Sequence, residues 1–393
     1  MKSQTTKSQT TKSKTAKAQV KAAVPAASHL THPRYRADID GLRAIAVLSV
    51  VGFHAFPKVV HGGFIGVDIF FVVSGFLIST ILFGSLERNS FSFIEFYSRR
   101  IRRIFPALLV VLIAAFTAGW FVLLSDEYKQ FGKHLAGGAG FVSNLVLWKE
   151  SGYFDNAAET KPLLHLWSLG IEEQFYIAWP FLLWAAWKSK VNLLAITATI
   201  AVVSFAVNMN RAYSDSVAAF YSPQTRFWEL LIGGGLAYAT LYRQSWFAGS
   251  GTVLANLQSV LGATLIALSL VFITRDKAFP GWWALLPTLG AALLISAGAR
   301  AWLNRAVLSN RLLVWIGLIS FPIYLWHWPL LAFPRIVNGE APSDTVRIYA
   351  VVLSIVLASV TYLLVERPLR FNSYSKATTV ALLAVMTVVG LAG

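Results

Sequence analysis

The chain has 393 residues, of which 56% are hydrophobic and only 13% are charged, and it contains no cysteine. Soluble domains carry about 25% charged residues, so this composition indicates a polytopic membrane protein. The lack of cysteine excludes disulfides, thiolate metal sites and a cysteine nucleophile. A formal charge of +16 would suggest nucleic acid as the partner of a soluble protein. Here membrane topology and one basic tail account for most of it, and no nucleic acid is expected.

Residues 1–37 form a polar N-terminal segment in which Lys-Ser-Gln-Thr-Thr is repeated from Lys2 and from Lys7. Such a tract cannot bury enough apolar surface to order itself. It lacks the hydrophobic core and the small-residue cleavage site of a signal peptide. We predict a disordered basic cytoplasmic tail, with anionic membrane lipids as candidate partners.

The stretch 39–57 is apolar and about long enough to cross a bilayer, which takes roughly 20 residues, yet it contains Arg43 and His54. Eleven positions apart on a helix, the two lie within roughly 20° of one face and about 16 Å apart along the axis. Ionisable side chains are costly at membrane depth, so we predict a functional site that faces the bundle interior. In the alternative, Arg43 only reaches the headgroups and His54 only hydrogen-bonds backbone.

The later apolar segments predict an all-α, polytopic membrane bundle of ten spans, followed by an eleventh at the C-terminus. After 39–57 we place spans at 64–86, 107–124, 166–187, 193–207, 227–241, 253–273, 283–297, 312–333, 345–365 and 378–391. If the weakly apolar piece 135–148 does not cross, about two thirds of the lysines and arginines fall on the tail's side, as the positive-inside rule requires. We therefore predict that this piece is re-entrant or peripheral and that the N-terminus is cytoplasmic.

Three parts follow from these spans: a tail at 1–37, a ten-span domain at 38–371 and an eleventh span at 372–393. The chain stops where the eleventh span would emerge on the outer side. We expect an extracytoplasmic domain beyond it.

Ionisable groups from five spans gather in the outer third of this topology. They are His54, Asp68, Glu172, Glu173, Arg226, Glu229 and His327. A histidine near carboxylates can be a general base, because the carboxylate sets the tautomer and stabilises the imidazolium. We take His54 as the base, with Asp68, Glu172 and Glu173 as catalytic candidates and Asp68 or Glu172 orienting the ring. Helical spacing favours Glu172 over Glu173, since it shares a stripe with His165, Ser168 and Tyr176.

Two alternatives apply to these groups. Each carboxylate could instead form a structural ion pair, for example with Arg226. His327 is flanked by two tryptophans, so we predict that it belongs to an interfacial aromatic belt rather than to the reaction.

A dense basic cluster at the inner end of the third span contains Arg99, Arg100, Arg102 and Arg103. Arginine binds phosphate in bidentate fashion, and the alternative is ordinary positive-inside anchoring. A phosphorylated donor that reaches from this cluster past Arg43 to His54 needs a long thin arm. The pantetheine arm of coenzyme A, which ends in a thioester, is commensurate with the roughly 16 Å between Arg43 and His54.

Several motifs, in order along the chain, resemble those of the membrane acyltransferase-3 family, which includes bacterial O-antigen acetyltransferases. The matching segments are Asp40-Gly-Leu-Arg-Ala44 with His54, Gly66-Val-Asp-Ile-Phe-Phe-Val-Val-Ser-Gly-Phe-Leu-Ile78, Tyr97-Ser-Arg-Arg-Ile-Arg-Arg-Ile-Phe-Pro106, Leu164-His-Leu-Trp-Ser-Leu-Gly-Ile-Glu-Glu-Gln-Phe-Tyr176, Tyr324-Leu-Trp-His-Trp-Pro-Leu330 and Glu366-Arg-Pro-Leu-Arg370. The resemblance runs from about residue 35 to residue 371.

The resemblance implies an acyl-CoA-dependent O-acetyltransferase of the bacterial inner membrane that modifies a lipopolysaccharide or another polysaccharide. The family's arginine–histidine motif maps onto Arg43 and His54, and its cytoplasmic arginine pair onto Arg99 and Arg102 or onto Arg100 and Arg103. Acetyl-CoA would be the donor substrate and no metal is implied. The partners would be acyl-CoA, membrane lipids and a glycan or lipid-linked glycan acceptor. Many members continue into an extracytoplasmic SGNH-type domain.

Two other functions fit the composition. A transporter or flippase of an acylated or polar glycan would often show repeated halves with broken helices, and no such repeat is evident. A lipid-binding scaffold without chemistry would leave the convergence of polar groups unexplained.

Overall fold

The structure is a computed structural model that describes residues 35–151, 157–243, 251–371 and 376–393. Regular secondary structure in these ranges is entirely helical. The tail predicted at 1–37 falls almost wholly outside the described residues. The all-α membrane class predicted from the sequence is confirmed.

Sixteen α-helices, several of them short, make up the described part of the chain. They are α1 (Ala37–Ala55), α2 (Gly66–Glu87), α3 (Phe93–Val122), α4 (Ser125–Ala139), α5 (Ser143–Glu150), α6 (Leu166–Lys188), α7 (Leu193–Ser214), α8 (Ser216–Tyr221), α9 (Pro223–Tyr242), α10 (Thr252–Phe272), α11 (Leu285–Ala297), α12 (Arg311–Leu318), α13 (Ser320–Asn338), α14 (Asp344–Thr361), α15 (Arg367–Phe371) and α16 (Lys376–Ala392). Two π-helical turns, Asn304–Leu308 and Tyr362–Glu366, and two 3₁₀ turns, Gly63–Ile65 and Ala158–Thr160, connect them.

Five helical segments among the described residues are long and apolar enough to cross a membrane. They are Gly63–Glu87, Phe93–Val122, Leu193–Ser214, Thr252–Phe272 and Asp344–Arg370. A sixth results if α12 and α13, which meet at a bend of 67°, form one broken span. Helices also occupy the other predicted spans. Length and composition alone do not identify these as spans, since α1, α6 and α9 carry ionisable side chains and α11 and α16 have only 13 and 17 residues.

The weakly apolar piece at 135–148 is divided between α4 and α5. The first of these helices ends at Ala139, and Phe141 then adopts a positive φ of 57° before α5 begins at Ser143. With 15 and 8 residues, the two helices are about 22 Å and 12 Å long. Neither alone reaches across a hydrocarbon core of about 30 Å.

Helix α6 runs parallel to α2. The Ser74 hydroxyl donates to Glu172 Oε1 at 2.6 Å, and further along both helices the Trp179 indole N–H donates to Ser79 Oγ at 2.9 Å. Residue numbers therefore increase in the same direction on both helices. Because the two helices pack in parallel, the glutamates of α6 lie beside α2.

Helix α9 also runs parallel to α2 and touches it backbone to backbone. Asp68 meets Arg226 near the start of both helices, and Phe83 packs on Tyr238 near their ends. Between these contacts, a Cβ added at Gly75 would come within 1.8 Å of the carbonyl oxygen of Leu230. Only glycine permits this approach, which is typical of close helix packing in membranes.

Helix α1, which carries Arg43 and His54, lies against α2, α12 and α13. Its contact with α12 is also close, because a Cβ at Gly317 would come within 1.9 Å of the Asp40 carbonyl oxygen. This contact brings the bend between α12 and α13 next to Arg43. The site described below lies among these helices.

Candidate functional site

A narrow cavity of about 100 Å³ lies between α2, α3, α6 and α13. Its polar lining comes from seven helical elements and includes four arginines, three glutamates, two tyrosines and three serines. They are Arg43, Arg100, Arg103, Arg370, Glu172, Glu173, Glu366, Tyr176, Tyr324, Ser74, Ser168 and Ser320. Ionisable side chains at membrane depth usually face a bundle interior or a water-filled space, as these do.

The cavity extends along one face of α2. Its lining residues on that helix lie at positions 67, 70, 71, 73, 74, 77, 78 and 81, and all of them except 73 have the spacing of a single helical face. At a rise of 1.5 Å per residue, this face is about 21 Å long. The cavity is thus long and thin, a shape suited to a chain-like ligand.

The arginines form one end of the cavity, and most of them already contact protein acids. Arg43 Nη1 lies 3.1 Å from Asp40 Oδ1, and Arg100 Nη2 lies 3.2 Å from Glu173 Oε1. Arg370 pairs with Glu366 at 3.3 Å. Arg103 lines the same cavity, but no carboxylate of the described ranges forms an ion pair with it. This end therefore favours an anionic ligand.

The predicted basic cluster divides between two faces of α3. Arg100 and Arg103 are three positions apart and line the cavity. Arg99 has a 63% exposed side chain that pairs with Glu95, and Arg102 donates to the Ser98 carbonyl oxygen. Of the two arginine pairs that the sequence left open, the structure brings Arg100 and Arg103 to the cavity.

Both predicted glutamates of α6 line the cavity and contact neighbours other than His54. Glu172 accepts hydrogen bonds from Ser74 and from the Tyr176 hydroxyl, in agreement with the predicted stripe on α6. Glu173 pairs with Arg100, whose guanidinium lies 4.0 Å from the centre of the Tyr176 ring. These carboxylates hold the arginine end of the cavity in place.

Asp68 lies in a separate, sealed ion cluster. Arg226 Nη2 is 3.2 Å from Asp68 Oδ1, and Arg226 Nη1 is 2.9 Å from Glu229 Oε1. All three side chains are fully buried, and aromatic rings surround the guanidinium. Asp68 does not line the cavity. The ion pair with Arg226, which the sequence left as the alternative, is the contact observed.

His54 contacts another histidine rather than the expected carboxylate. Its Nδ1 lies 2.9 Å from His327 Nε2, and the two ring planes are nearly parallel, with centroids 5.2 Å apart. His327 is fully buried, so its prediction as an interfacial belt residue is wrong. The signal for this pair was the Tyr324-Leu-Trp-His-Trp-Pro-Leu330 motif, but sequence spacing could not show which neighbour His327 would face.

The tautomers of both histidines follow from their acceptors. His327 Nδ1 lies 2.7 Å from the Tyr324 carbonyl oxygen, which can only accept, so this Nδ1 carries a proton. Nε2 of neutral His327 is then an acceptor, and its contact with His54 requires a proton on His54 Nδ1. The lone pair of His54 is therefore on Nε2. A neutral histidine thus fills the orienting role expected of a carboxylate.

Tyr324 connects the cavity with the histidines. Its ring lines the cavity, and its hydroxyl donates to the His165 carbonyl oxygen at 2.6 Å and contacts Ser168 Oγ at 2.7 Å. Its own carbonyl oxygen accepts from His327. Tyr324 therefore joins the cavity wall to the His54–His327 pair, but neither of these histidines lines the cavity itself. Sequence reasoning had not singled out Tyr324, Glu366 or Arg370, although all three lie within the quoted motifs.

The described residues contain no cluster of three or more histidines and acidic side chains arranged to hold a metal ion. What they define is a helical membrane protein with a thin cavity that is lined by arginines at one end and that adjoins, through Tyr324, a pair of histidines.

The chain belongs to the acyltransferase-3 family, whose acyltransferase domain model matches residues 36–366. It is 31% identical over 360 residues to the peptidoglycan O-acetyltransferase OatA of Listeria monocytogenes, covering 87% of this chain and 57% of that protein. It is 34% identical over 366 residues to "Putative peptidoglycan O-acetyltransferase YrhL" of Bacillus subtilis, with 88% and 57% covered. The chain thus spans somewhat more than half of each relative. No solved structure matches it at a significant level.

Proposed function

We propose that this chain is the membrane part of an O-acyltransferase. It takes an acyl group, in the first instance acetyl, from cytoplasmic acyl-CoA and transfers it towards a glycan hydroxyl on the extracytoplasmic side. The names of the relatives suggest peptidoglycan as the glycan. The observation that carries the proposal is the thin cavity, which is lined by arginines and by Tyr324, the residue whose carbonyl oxygen accepts from His327, the partner of His54.

The arginine end is the proposed docking site for the donor's phosphates. Within the described ranges Arg103 forms no ion pair with an acidic side chain, and Arg43 and Arg370 line the same cavity. Arginine is suited to bidentate phosphate binding. The pantetheine arm would follow the face of α2 for part of its 21 Å and bring the thioester near His54.

His54 is the proposed general base. Its Nε2 lone pair removes the proton of the acceptor hydroxyl while the hydroxyl oxygen attacks the thioester carbonyl carbon. The new C–O bond forms, the C–S bond breaks, and the proton held on Nε2 passes to the departing thiolate. His327 maintains the tautomer by accepting from His54 Nδ1, because its own Nδ1 proton is held by Tyr324.

The proposed orientation places the N-terminus in the cytoplasm of a bacterial cell and segment 125–164 outside. The excess of lysine and arginine on the tail's side supports this orientation. Parallel α2 and α6 support the prediction that segment 135–148 does not cross, since parallel helices require an odd number of crossings between them and α3 supplies one. A cysteine introduced at Ser151 should then react with an impermeant maleimide in intact cells. Labelling only after permeabilisation would reverse the orientation.

The decisive experiment uses the purified protein in liposomes with acetyl-CoA inside or outside. We expect thiol to be released from acetyl-CoA, and a chromogenic thiol reagent detects it. The release should occur only when acetyl-CoA is on the side of the membrane to which the arginines are exposed. Absence of thiol release combined with passage of a labelled glycan would support the flippase alternative. An extracytoplasmic SGNH-type domain is the proposed partner for completing transfer to the glycan.

A further inference from the structure

His165 is a buried imidazole to which the proposed reaction gives no role. Its side chain lies between the rings of His327 and Tyr324, at centroid distances of 5.7 Å and 5.4 Å, and the residue is 2% exposed. The residue immediately precedes α6, and its carbonyl oxygen accepts from the Tyr324 hydroxyl. The ring is therefore held in place by its neighbours.

Neither ring nitrogen of His165 makes a well-aligned hydrogen bond to any described residue. One polar group near the ring is the backbone carbonyl of Leu325. In α13 this carbonyl lacks its usual helical donor, because the residue four positions later is Pro329, which has no N–H. The imidazole N–H is thus directed towards Leu325, and the other ring nitrogen keeps a bare lone pair.

A bare acceptor at such burial is costly. Leaving a buried polar group without its hydrogen bond costs about 1–3 kcal/mol, and such groups in native proteins call for an explanation. A ligand that donates an O–H or N–H to the ring would remove this cost. His165 and His54 both contact the ring of His327, so only this one ring separates them.

We propose that His165 binds the acceptor, accepting a hydrogen bond from a second hydroxyl or amide of the same sugar whose first hydroxyl His54 deprotonates. The proposal rests on the proposed function and adds to it the class of acceptor. Two lone pairs, on imidazoles that both contact His327, select a polyhydroxylated ligand over a simple alcohol or water. The two histidines thus have different roles: His54 reacts, and His165 recognises.

The test compares His165→Phe with the parent protein and with His61→Phe, a control at an exposed histidine in the loop after α1. In liposomes, each variant receives acetyl-CoA with a soluble N-acetylated oligosaccharide or with water as the only acceptor. We expect His165→Phe to lower kcat/KM for the oligosaccharide about 10- to 100-fold, mainly through KM. The affinity for acetyl-CoA and the slow hydrolysis by water should not change. His165→Gln, which keeps an acceptor atom, should recover part of the loss.

A binding measurement makes the proposal independent of turnover. In protein labelled with ¹⁵N-histidine, the bare ring nitrogen of His165 should shift when the oligosaccharide is added, and the resonances of His61 should not. An unchanged KM in His165→Phe, or no shift of the His165 resonance at saturating oligosaccharide, would overturn the inference and leave the acyltransferase intact. If the parent protein releases no thiol from acetyl-CoA, the proposed function itself is wrong.

Discussion

Arg226 and Arg103 are both arginines inside the helical bundle, but only one of them has its charge balanced by the protein. Arg226 is fully buried between Asp68 and Glu229, with aromatic rings around its guanidinium. Arg103 borders a cavity, shares it with other arginines and has no ion-pair partner among the described residues. An arginine is therefore structural where neighbouring acidic side chains balance its charge, and it is available to bind an anionic ligand where they do not.

The difference extends to the acids. Asp68 and Glu229 are sealed with one guanidinium, whereas Glu172 and Glu173 lie on the cavity beside Ser74, Tyr176 and Arg100. We therefore expect changes in the sealed cluster to alter stability and changes along the cavity to alter function.

The largest effect on acyl transfer should come from a change at His54. His54→Gln loses the lone pair on Nε2 but keeps hydrogen-bonding capacity towards His327. General acid–base assistance is typically worth about 10²–10⁴-fold, so acyl transfer should fall by that factor or more, with thermal stability close to the parent's. Thiol release and thermal unfolding measured on the same sample check this. A well-folded variant that works near the parental rate would make His54 structural.

Arg226→Ala should mainly reduce stability. It leaves two buried acids without their cation, and removal of one partner of a buried ion pair typically costs about 3–5 kcal/mol. Denaturant unfolding in detergent measures the loss. The protein that remains folded should bind acetyl-CoA with parental affinity, and a selective loss of donor binding would contradict the structural assignment.

Arg103→Ala should weaken donor binding by about 10- to 100-fold, since hydrogen bonds to charged groups are worth about 1.5–3 kcal/mol. Arg99→Ala is the matched control on the same helix, because this exposed arginine faces away from the cavity. Binding of coenzyme A by each inserted variant is the measurement. If the two variants bind coenzyme A with equal affinity, Arg103 has no role in donor binding and serves only as a positive-inside anchor.

Glu229→Gln should be almost silent. Asp68 and Glu229 are both fully buried and face a single guanidinium, so the sealed cluster is neutral only when one carboxyl is protonated. Glutamine resembles the protonated acid in shape, and we expect a change within about 1 kcal/mol in the free energy of unfolding. A loss as large as that of Arg226→Ala would show that both carboxylates are charged.

The smallest effect concerns a third cluster, outside the spans, that is neither sealed nor on the cavity. Burial alone would raise the pKa of Glu150, but the hydrogen bond from His134 and the charges of His134 and Lys161 outweigh it and hold the pKa below its usual value. This stabilisation is present above the ordinary glutamate pKa of about 4.3 and is lost as pH falls through the lowered value. The difference in melting temperature between the parent and Glu150→Gln should therefore be present at pH 7 and shrink below pH 4. A difference that grows on acidification would contradict the assignment.

The sequence by itself determined the membrane class, the positions of the helices and the motifs that carry Arg43 and His54. These follow from local properties, since hydrophobic run length and helical period depend only on neighbouring residues. The same periodicity correctly placed Glu172 on one stripe with Ser168 and Tyr176.

Only the tertiary structure decided which polar groups meet. It paired His54 with His327 from a helix about 270 positions later, enclosed Asp68 with Arg226, and separated Arg103 from Arg99 by the rotation of α3. These outcomes depend on helix neighbours, and on contacts as close as that of Gly75 with Leu230, which fix the rotation of each helix. A hydrophobic pattern specifies that a helix is buried, but the face that each polar side chain turns to its neighbours is set by packing between segments far apart in the chain.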